Sequence, residues 1–113
     1  MNLSHFFSVI ILSLAFATGA HAQYPNKPVR IVVPSSPGNS SDIMARLLGD
    51  KLSQTWGQPV LVENRPGADG RIGAEVVAKS PPDGYTLLMG NIAHAINVTL
   101  YGKLGYDLLK DLA

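Results

Sequence analysis

The sequence predicts an α/β protein built on a parallel sheet of order 2-1-3 with flanking helices. Three observations carry that prediction. Short β-branched or apolar runs at residues 29–33, 59–63 and 85–89 alternate with helical patterns. Each run is bounded by proline, glycine or asparagine, the residues that punctuate strands. The connections are short and hold one helix apiece, which implies parallel pairing through right-handed crossovers and puts the first strand between the other two.

The elements follow in order along the chain. Residues 1–22 contain no Asp, Glu, Lys or Arg, and residues 6–17 form an apolar run of twelve. A bilayer needs roughly 20 apolar residues, so this run fits the core of a cleavable export signal and is too short for a span. Ala20-His21-Ala22 supplies small residues where a signal peptidase reads, which predicts cleavage before Gln23. The region before the run has no Lys or Arg, only the α-amino group and His5, which is off pattern for such a signal. Residues 23–113 are then expected to form one small α/β unit.

Val29-Arg30-Ile31-Val32-Val33 lies between Pro28 and Pro34 and reads as a buried strand. Pro34-Ser35-Ser36-Pro37-Gly38-Asn39-Ser40-Ser41 is a turn-rich loop leading into a helix that Ser40 or Ser41 can cap. Asp42 falls in the first turn, where a carboxylate suits the helix dipole. Ile43, Met44, Leu47, Leu48 and Leu52 recur at helical spacing, with Arg46, Asp50 and Lys51 off that face, and Gly57 closes the helix. The second strand, residues 59–63, precedes the glycine loop of residues 64–70. A short helix over residues 72–79 ends at Pro81-Pro82-Asp83-Gly84. The third strand is followed by Gly90-Asn91 and a helix near residues 94–100.

This order places the switch point between the first and third strands, and open α/β sheets bind ligands beyond the carboxyl ends of strands there. The loops at that edge are residues 34–42 and 90–97, with residues 64–73 alongside. All three are rich in Gly, Ser and Asn, as expected where backbone N–H groups approach a ligand. A polar loop entering a capped helix presents unpaired N–H donors at a positive dipole end, and carboxylates are suitable guests. An ordinary helix cap with no ligand is the competing reading. Asp42 could repel an anion, but a carboxylate that accepts backbone N–H groups would instead orient the loop.

Other chemistries fit less well. Nine basic and eight acidic residues give a net charge of +1, with no polybasic face for nucleic acid or membrane. Absence of cysteine removes disulfides, thiolate metal sites and a lipid-attachment residue. Gly67-x-x-Gly70-x-x-Gly73 lacks the tight G-x-G of a dinucleotide site. No G-x-S-x-G elbow accompanies the serines, and His94 has no identifiable orienting carboxylate, so a secreted hydrolase is a distant alternative. No metal-ligand spacing occurs either.

The mature chain also resembles a known family. Tyr24-Pro25-x-Lys27-Pro28-Val29-Arg30, Pro34-x-x-Pro37-Gly38-x-x-x-Asp42 and Gly57-Gln58-Pro59-Val60 are followed by Asn64-Arg65-Pro66-Gly67-Ala68-x-Gly70-x-Ile72-Gly73. Pro82-Asp83-Gly84-Tyr85-Thr86-Leu87, Ala95-Ile96-Asn97, Leu100-Tyr101 and Tyr106-Asp107 complete the set. In this order the segments resemble the tripartite tricarboxylate transporter substrate-binding receptors, the Bug family. The resemblance implies the first lobe of a periplasmic type II binding-protein fold that captures a small carboxylate for a two-component membrane permease. It implies a monomeric, non-catalytic protein with no cofactor and no metal. Carried over residue by residue, it assigns ligand contacts to Ser35, Ser36, Gly38, Asn39, Ser40, Ser41 and Asp42, and to Asn91, His94 and Asn97. Arg65 reads mainly as a turn-shaping residue.

Several positions depart from the family pattern. Ser35 replaces a usual aromatic, Asn39 and Asp69 replace usual glycines, and Gly105 replaces a usual proline. Members run to roughly three times this length, so the resemblance implies that the second lobe is missing here. It also implies a missing strand that would return beside the third, leaving an open sheet edge. A gene fragment without transport activity is the alternative reading of the same features.

Overall fold

The computed structural model describes residues 23–112, so the expected leader and its cleavage site lie outside the described residues. The elements are β1 (Val29–Val33), α1 (Ser40–Trp56), β2 (Val60–Asn64), a 3-10 turn (Ala68–Gly70), α2 (Arg71–Ala78), β3 (Thr86–Leu88) and α3 (Ile92–Leu100). The sheet order is β2-β1-β3 and both pairings are parallel, as predicted from the crossovers. Ile31 faces Val62 on one side and Leu87 on the other, which fixes the register of all three strands.

Central placement explains the composition of β1. Val29, Val32 and Val33 expose no surface, because both faces of a middle strand are covered. Ile31 and Val33 point to the face on which Ala45 of α1 packs, with Val60, Val62, Leu87 and Met89 around them. Val32 points to the opposite face, where α2 crosses β1 and β3 and buries Ala74. The crossover from β1 to β2 and the one from β2 past β1 to β3 run in opposite directions along the sheet, so with the same right hand they put their helices on opposite faces.

The apolar periodicity of α1 does not mark its buried side. Ile43, Met44, Leu47 and Leu48 are 47–61% exposed, whereas Asp42, Ala45 and Gly49 are buried. The reason is distance. Ala45 and Gly49, one turn apart, let the helix backbone approach the valine-rich β1 and β2, which supply the bulk of the interface. A Cβ built on Gly49 would lie 3.4 Å from Val60 Cγ1, so leucines on that side would hold the helix off the sheet. Other boundaries move slightly. β2 includes Asn64 but not Pro59, β3 is shorter than residues 85–89, α2 begins at Arg71, and α3 begins at Ile92.

Among the described residues β3 pairs only with β1. Beyond its other side lies a cavity of about 1080 Å³, lined by Leu87, Val77 and Ala78 of α2, and Leu108 and Leu112 near the end of the chain. None of the described helices is long and apolar enough to cross a membrane.

Candidate functional site

The loop after β1 is organised around Asp42. Its Oδ2 accepts the Gly38 N–H at 2.8 Å and Arg46 Nε at 3.2 Å, and its Oδ1 accepts Asn64 Nδ2 at 3.0 Å. Gly38 takes a φ of +89°, a conformation in which glycine carries no Cβ penalty, and this turns its N–H back onto the carboxylate. Asn64, at the end of β2, also donates to the Ser35 carbonyl at 3.1 Å and accepts from Arg46 at 3.1 Å. Asp42 is 3% exposed. The Gly38 N–H, then Arg46 and Asn64, hold its carboxyl at a pKa of about 2, well below the usual range. The charge is thus engaged within the loop and offset by Arg46, and it orients the loop as the sequence reading favoured.

Neither Ser40 nor Ser41 caps α1. Asn39 does: its extended backbone and its Oδ1, which accepts the Asp42 N–H at 3.0 Å, make it the N-cap. Asn is as good a cap as Ser, and register within the loop decided between them. Ser36, Gly38, Asn39 and Ser40 are exposed, while Ser41 and Ser35 are half-buried. Ser35 Oγ is buried without a hydrogen-bond partner among the described residues.

The loop after β3 is built differently. Asn91 caps α3 through Oδ1, which accepts the Ala93 N–H at 2.9 Å, and the Asn91 N–H donates to His94 Nδ1 at 3.1 Å. That reciprocal pair is a capping box in which imidazole takes the place usually held by Glu or Gln. Accepting at Nδ1 puts the ring proton on Nε2, which lies 3.3 Å from the Gly70 carbonyl. His94 is 3% exposed, so both ring nitrogens are committed inside the chain. Asn97, equally buried, donates through Nδ2 to the Asp69 carbonyl at 3.0 Å. Two residues expected to touch ligand therefore hold the Ala68–Gly70 turn in this structure, leaving Asn91 as the exposed member of the group.

Glycines bring the three loops together. A Cβ on Gly70 would lie 3.1 Å from His94 Nε2 and 3.5 Å from Pro34 Cβ. A Cβ on Gly73 would meet Pro34 Cβ at 2.8 Å, Pro34 Cα at 2.9 Å and the Arg65 carbonyl at 3.0 Å. Only a residue without a side chain lets α2 pack this closely on the end of β1. Pro34, Gly70 and His94 thus form the floor where the loops after β1, β2 and β3 meet. Arg65 lies outside it: its backbone N–H donates to the Val33 carbonyl at 2.8 Å and its guanidinium pairs with Glu63.

The α1 and α3 N-termini therefore open at the same edge of the sheet, after adjacent strands. The first N–H groups of each helix have no intrahelical acceptor, and α3 has no acidic residue in its first turn. Such an edge can hold an anion by backbone donors and by the hydroxyls of Ser36, Ser40 and Ser41. Among the described residues no group of three or more His, Asp or Glu could hold a metal ion. The large cavity along β3 reaches this edge at Gly90, Asn91, His94 and Ala95. Periodicity and motif spacing gave no sign of the roles of Arg46 and Asn64; register and loop geometry bring them into play.

Residues 44–113 match the model of the tripartite tricarboxylate transporter family receptor. A protein of Agrobacterium vitis encoded in the TAR-I ttuE-ttuC' intergenic region is 44% identical over 97% of this chain and 32% of its own length. The protein BugT of Bordetella pertussis is 41% identical over 99% of this chain and 36% of its own. Among solved structures, MatC of Rhodopseudomonas palustris with bound malate is 40% identical with a TM-score of 0.69, covering 78% of this chain and 30% of that one. The chain thus spans about a third of the length of these relatives. The two sequence relatives extend across nearly the whole chain, so their similarity takes in the loop after β1, all of which precedes the matched family region.

Proposed function

The chain belongs to the tripartite tricarboxylate transporter receptor family, and from that premise we propose that it supplies part of an exported receptor that captures a small carboxylate for a membrane permease. The observation that carries this reading is the pairing of two helix N-termini, those of α1 and α3, at one sheet edge after adjacent strands. A carboxylate placed there accepts hydrogen bonds from backbone N–H groups and lies at two positive dipole ends at once. Malate bound to MatC, a solved relative, supports the class of ligand.

In this proposal Ser36, Gly38, Asn39, Ser40 and Ser41 line one side of the ligand, and Asn91 lines the other. Ser35 supplies a buried hydroxyl with spare hydrogen-bonding capacity beneath them. Asp42, His94 and Asn97 act from behind, holding the loops at the separation that the ligand reads. The protein is a binding component, not an enzyme, and works in the periplasm after removal of a leader ending near Ala22. The open side of β3 takes a further strand from the rest of such a receptor, and the relatives are long enough to contribute one.

A nitrogen-15 NMR titration with malate, citrate and succinate at millimolar concentration tests the reading. Saturable shifts are expected at the amides of Ser36, Gly38, Ser40, Ser41 and Ile92 for at least one acid. If none of the three moves those amides, carboxylate capture at this edge is wrong.

A further inference from the structure

α3 and its C-cap residue make a series of contacts behind the edge at which the carboxylate is proposed to sit. His94 and Asn97 stand at i and i+3 on one side of the helix, and Tyr101, the extended residue that caps its C-terminus, follows one turn later. Each reaches the same short turn. His94 Nε2 lies 3.3 Å from the Gly70 carbonyl, Asn97 Nδ2 donates to the Asp69 carbonyl at 3.0 Å, and the Tyr101 hydroxyl donates to Asp69 Oδ2 at 2.9 Å. The turn they grip is unusual. Ala68 and Asp69 both have left-handed backbones, with φ of +48° and +54°, although neither is glycine. Such residues persist where the surroundings over-determine them.

The grip is closed from the other side by Arg71. Its Nε donates to the Ala68 carbonyl at 3.0 Å, and its guanidinium sits 4.1 Å from the centre of the Tyr101 ring. The Asp69 carboxylate, by accepting a hydrogen bond from the phenol, pushes Tyr101 above its usual pKa, so the hydroxyl keeps its proton and the bond persists across the neutral range.

We infer that His94 and Asn97 on one face of α3, with Tyr101 at its C-cap, form a latch that holds the left-handed Ala68–Gly70 turn, with Tyr101 and Asp69 as positioning residues for the anion-binding edge. The role in binding rests on the reading under Proposed function; the latch itself does not. Gly70 sits against both Pro34 and His94, so the latch keeps the α3 N-terminus, the turn and the end of β1 in one rigid unit. Asp69 thereby serves a purpose that glycine at that position would not. Glycine permits the bend, whereas Asp69 ties it to α3.

The test uses the whole chain, the single variants Tyr101→Phe, Asp69→Asn and Asp69→Gly, and Tyr101→Phe combined with Asp69→Gly. Tyr101→Phe removes one hydroxyl from a half-exposed ring, and amide exchange of Gly70 and Arg71 is expected to quicken about tenfold, a change of about 1.4 kcal/mol in local opening. The His94 ring nitrogen-15 signals should lose their single-tautomer pattern. Asp69→Asn keeps an acceptor and a residue tolerant of the left-handed region, and should retain most of the protection of the unmodified chain. In the Asp69→Gly background, adding Tyr101→Phe should change nothing further. Unchanged exchange and unchanged His94 signals in Tyr101→Phe would overturn the latch.

Malate titration reads the positioning role. Affinity should fall about threefold or more in Tyr101→Phe; a loosened turn with unaltered affinity would refute positioning while leaving a structural contact. If the unmodified chain takes up no malate, citrate or succinate, the receptor reading and the positioning role fail together, and the exchange measurement still decides the latch.

Discussion

Gly73→Ala and Gly49→Ala make the same chemical change in two helices, and the structure predicts opposite outcomes. Both glycines are buried and helical. In each case alanine gains about 1 kcal/mol of helix propensity. At Gly49 the new methyl would sit 3.4–3.5 Å from the ends of Val60 and Val62, an ordinary contact that buries apolar surface. Gly49→Ala should therefore stabilise by about 1 kcal/mol, raising the melting temperature by roughly 4–8 °C in a domain of this size.

At Gly73 the methyl would lie 2.8 and 2.9 Å from Pro34 Cβ and Cα, about 1 Å inside normal carbon contact. Pro34 cannot yield easily. It is buried, and its neighbours are tied by the Arg65 N–H on Val33 and by Asn64 on Ser35. Overpacking against such atoms costs about 2–3 kcal/mol, which exceeds the propensity gain and leaves a net loss of about 1–2 kcal/mol. Urea unfolding followed by circular dichroism measures both variants on one scale. A Gly73→Ala chain as stable as the unmodified one would show that α2 does not press on the end of β1, and the convergence of the three loops would fall with it.

Three further predictions follow from the same contacts. Asn39→Ala should lower stability by about 1 kcal/mol, whereas Ser40→Ala and Ser41→Ala should each change it by less than about 0.5 kcal/mol, as read from urea midpoints; the reverse order would restore a serine cap. Asp42 has a lowered folded-state pKa, so its contribution is fully present above its unfolded value of 3.8 and is lost as pH falls towards about 2. Asp42→Asn should consequently flatten the acid limb of a stability–pH curve between about pH 4 and 2, and an unaltered limb would contradict the carboxylate's assigned contacts. Leu47→Gln, on the outward side of α1, should shift stability by less than about 0.5 kcal/mol in the isolated chain, while Ala45→Leu on the inward side should cost about 1–3 kcal/mol. Equal losses at the two positions would mean that α1 is rotated from the orientation described.

The element order, the parallel pairing and the 2-1-3 arrangement were all legible in the sequence. They depend on local properties: β-branched runs between breakers, one helix per connection, and the fixed hand of crossovers between parallel strands. The same reasoning located the edge at which the loops after β1 and β3 meet, because strand order alone decides which loops are neighbours. The motifs that resemble the receptor family were likewise readable as an ordered string, without distances.

What tertiary structure decided were matters of approach between residues far apart in the chain. Hydrophobic period put Leu47 and Leu48 on the core side of α1, yet Ala45 and Gly49 face the sheet, because the valines of β1 and β2 already fill the space a leucine would need. Propensity favoured Ser40 or Ser41 as the cap, but the turn at Gly38 brings Asn39 to that position instead. His94 and Asn97 have side chains suited to a ligand, but a turn 24 and 28 residues away claims them first. Periodicity reports which residues prefer to be dry, while packing distance determines which of them has room to be, and a polar group is free for a ligand only when no closer partner has satisfied it.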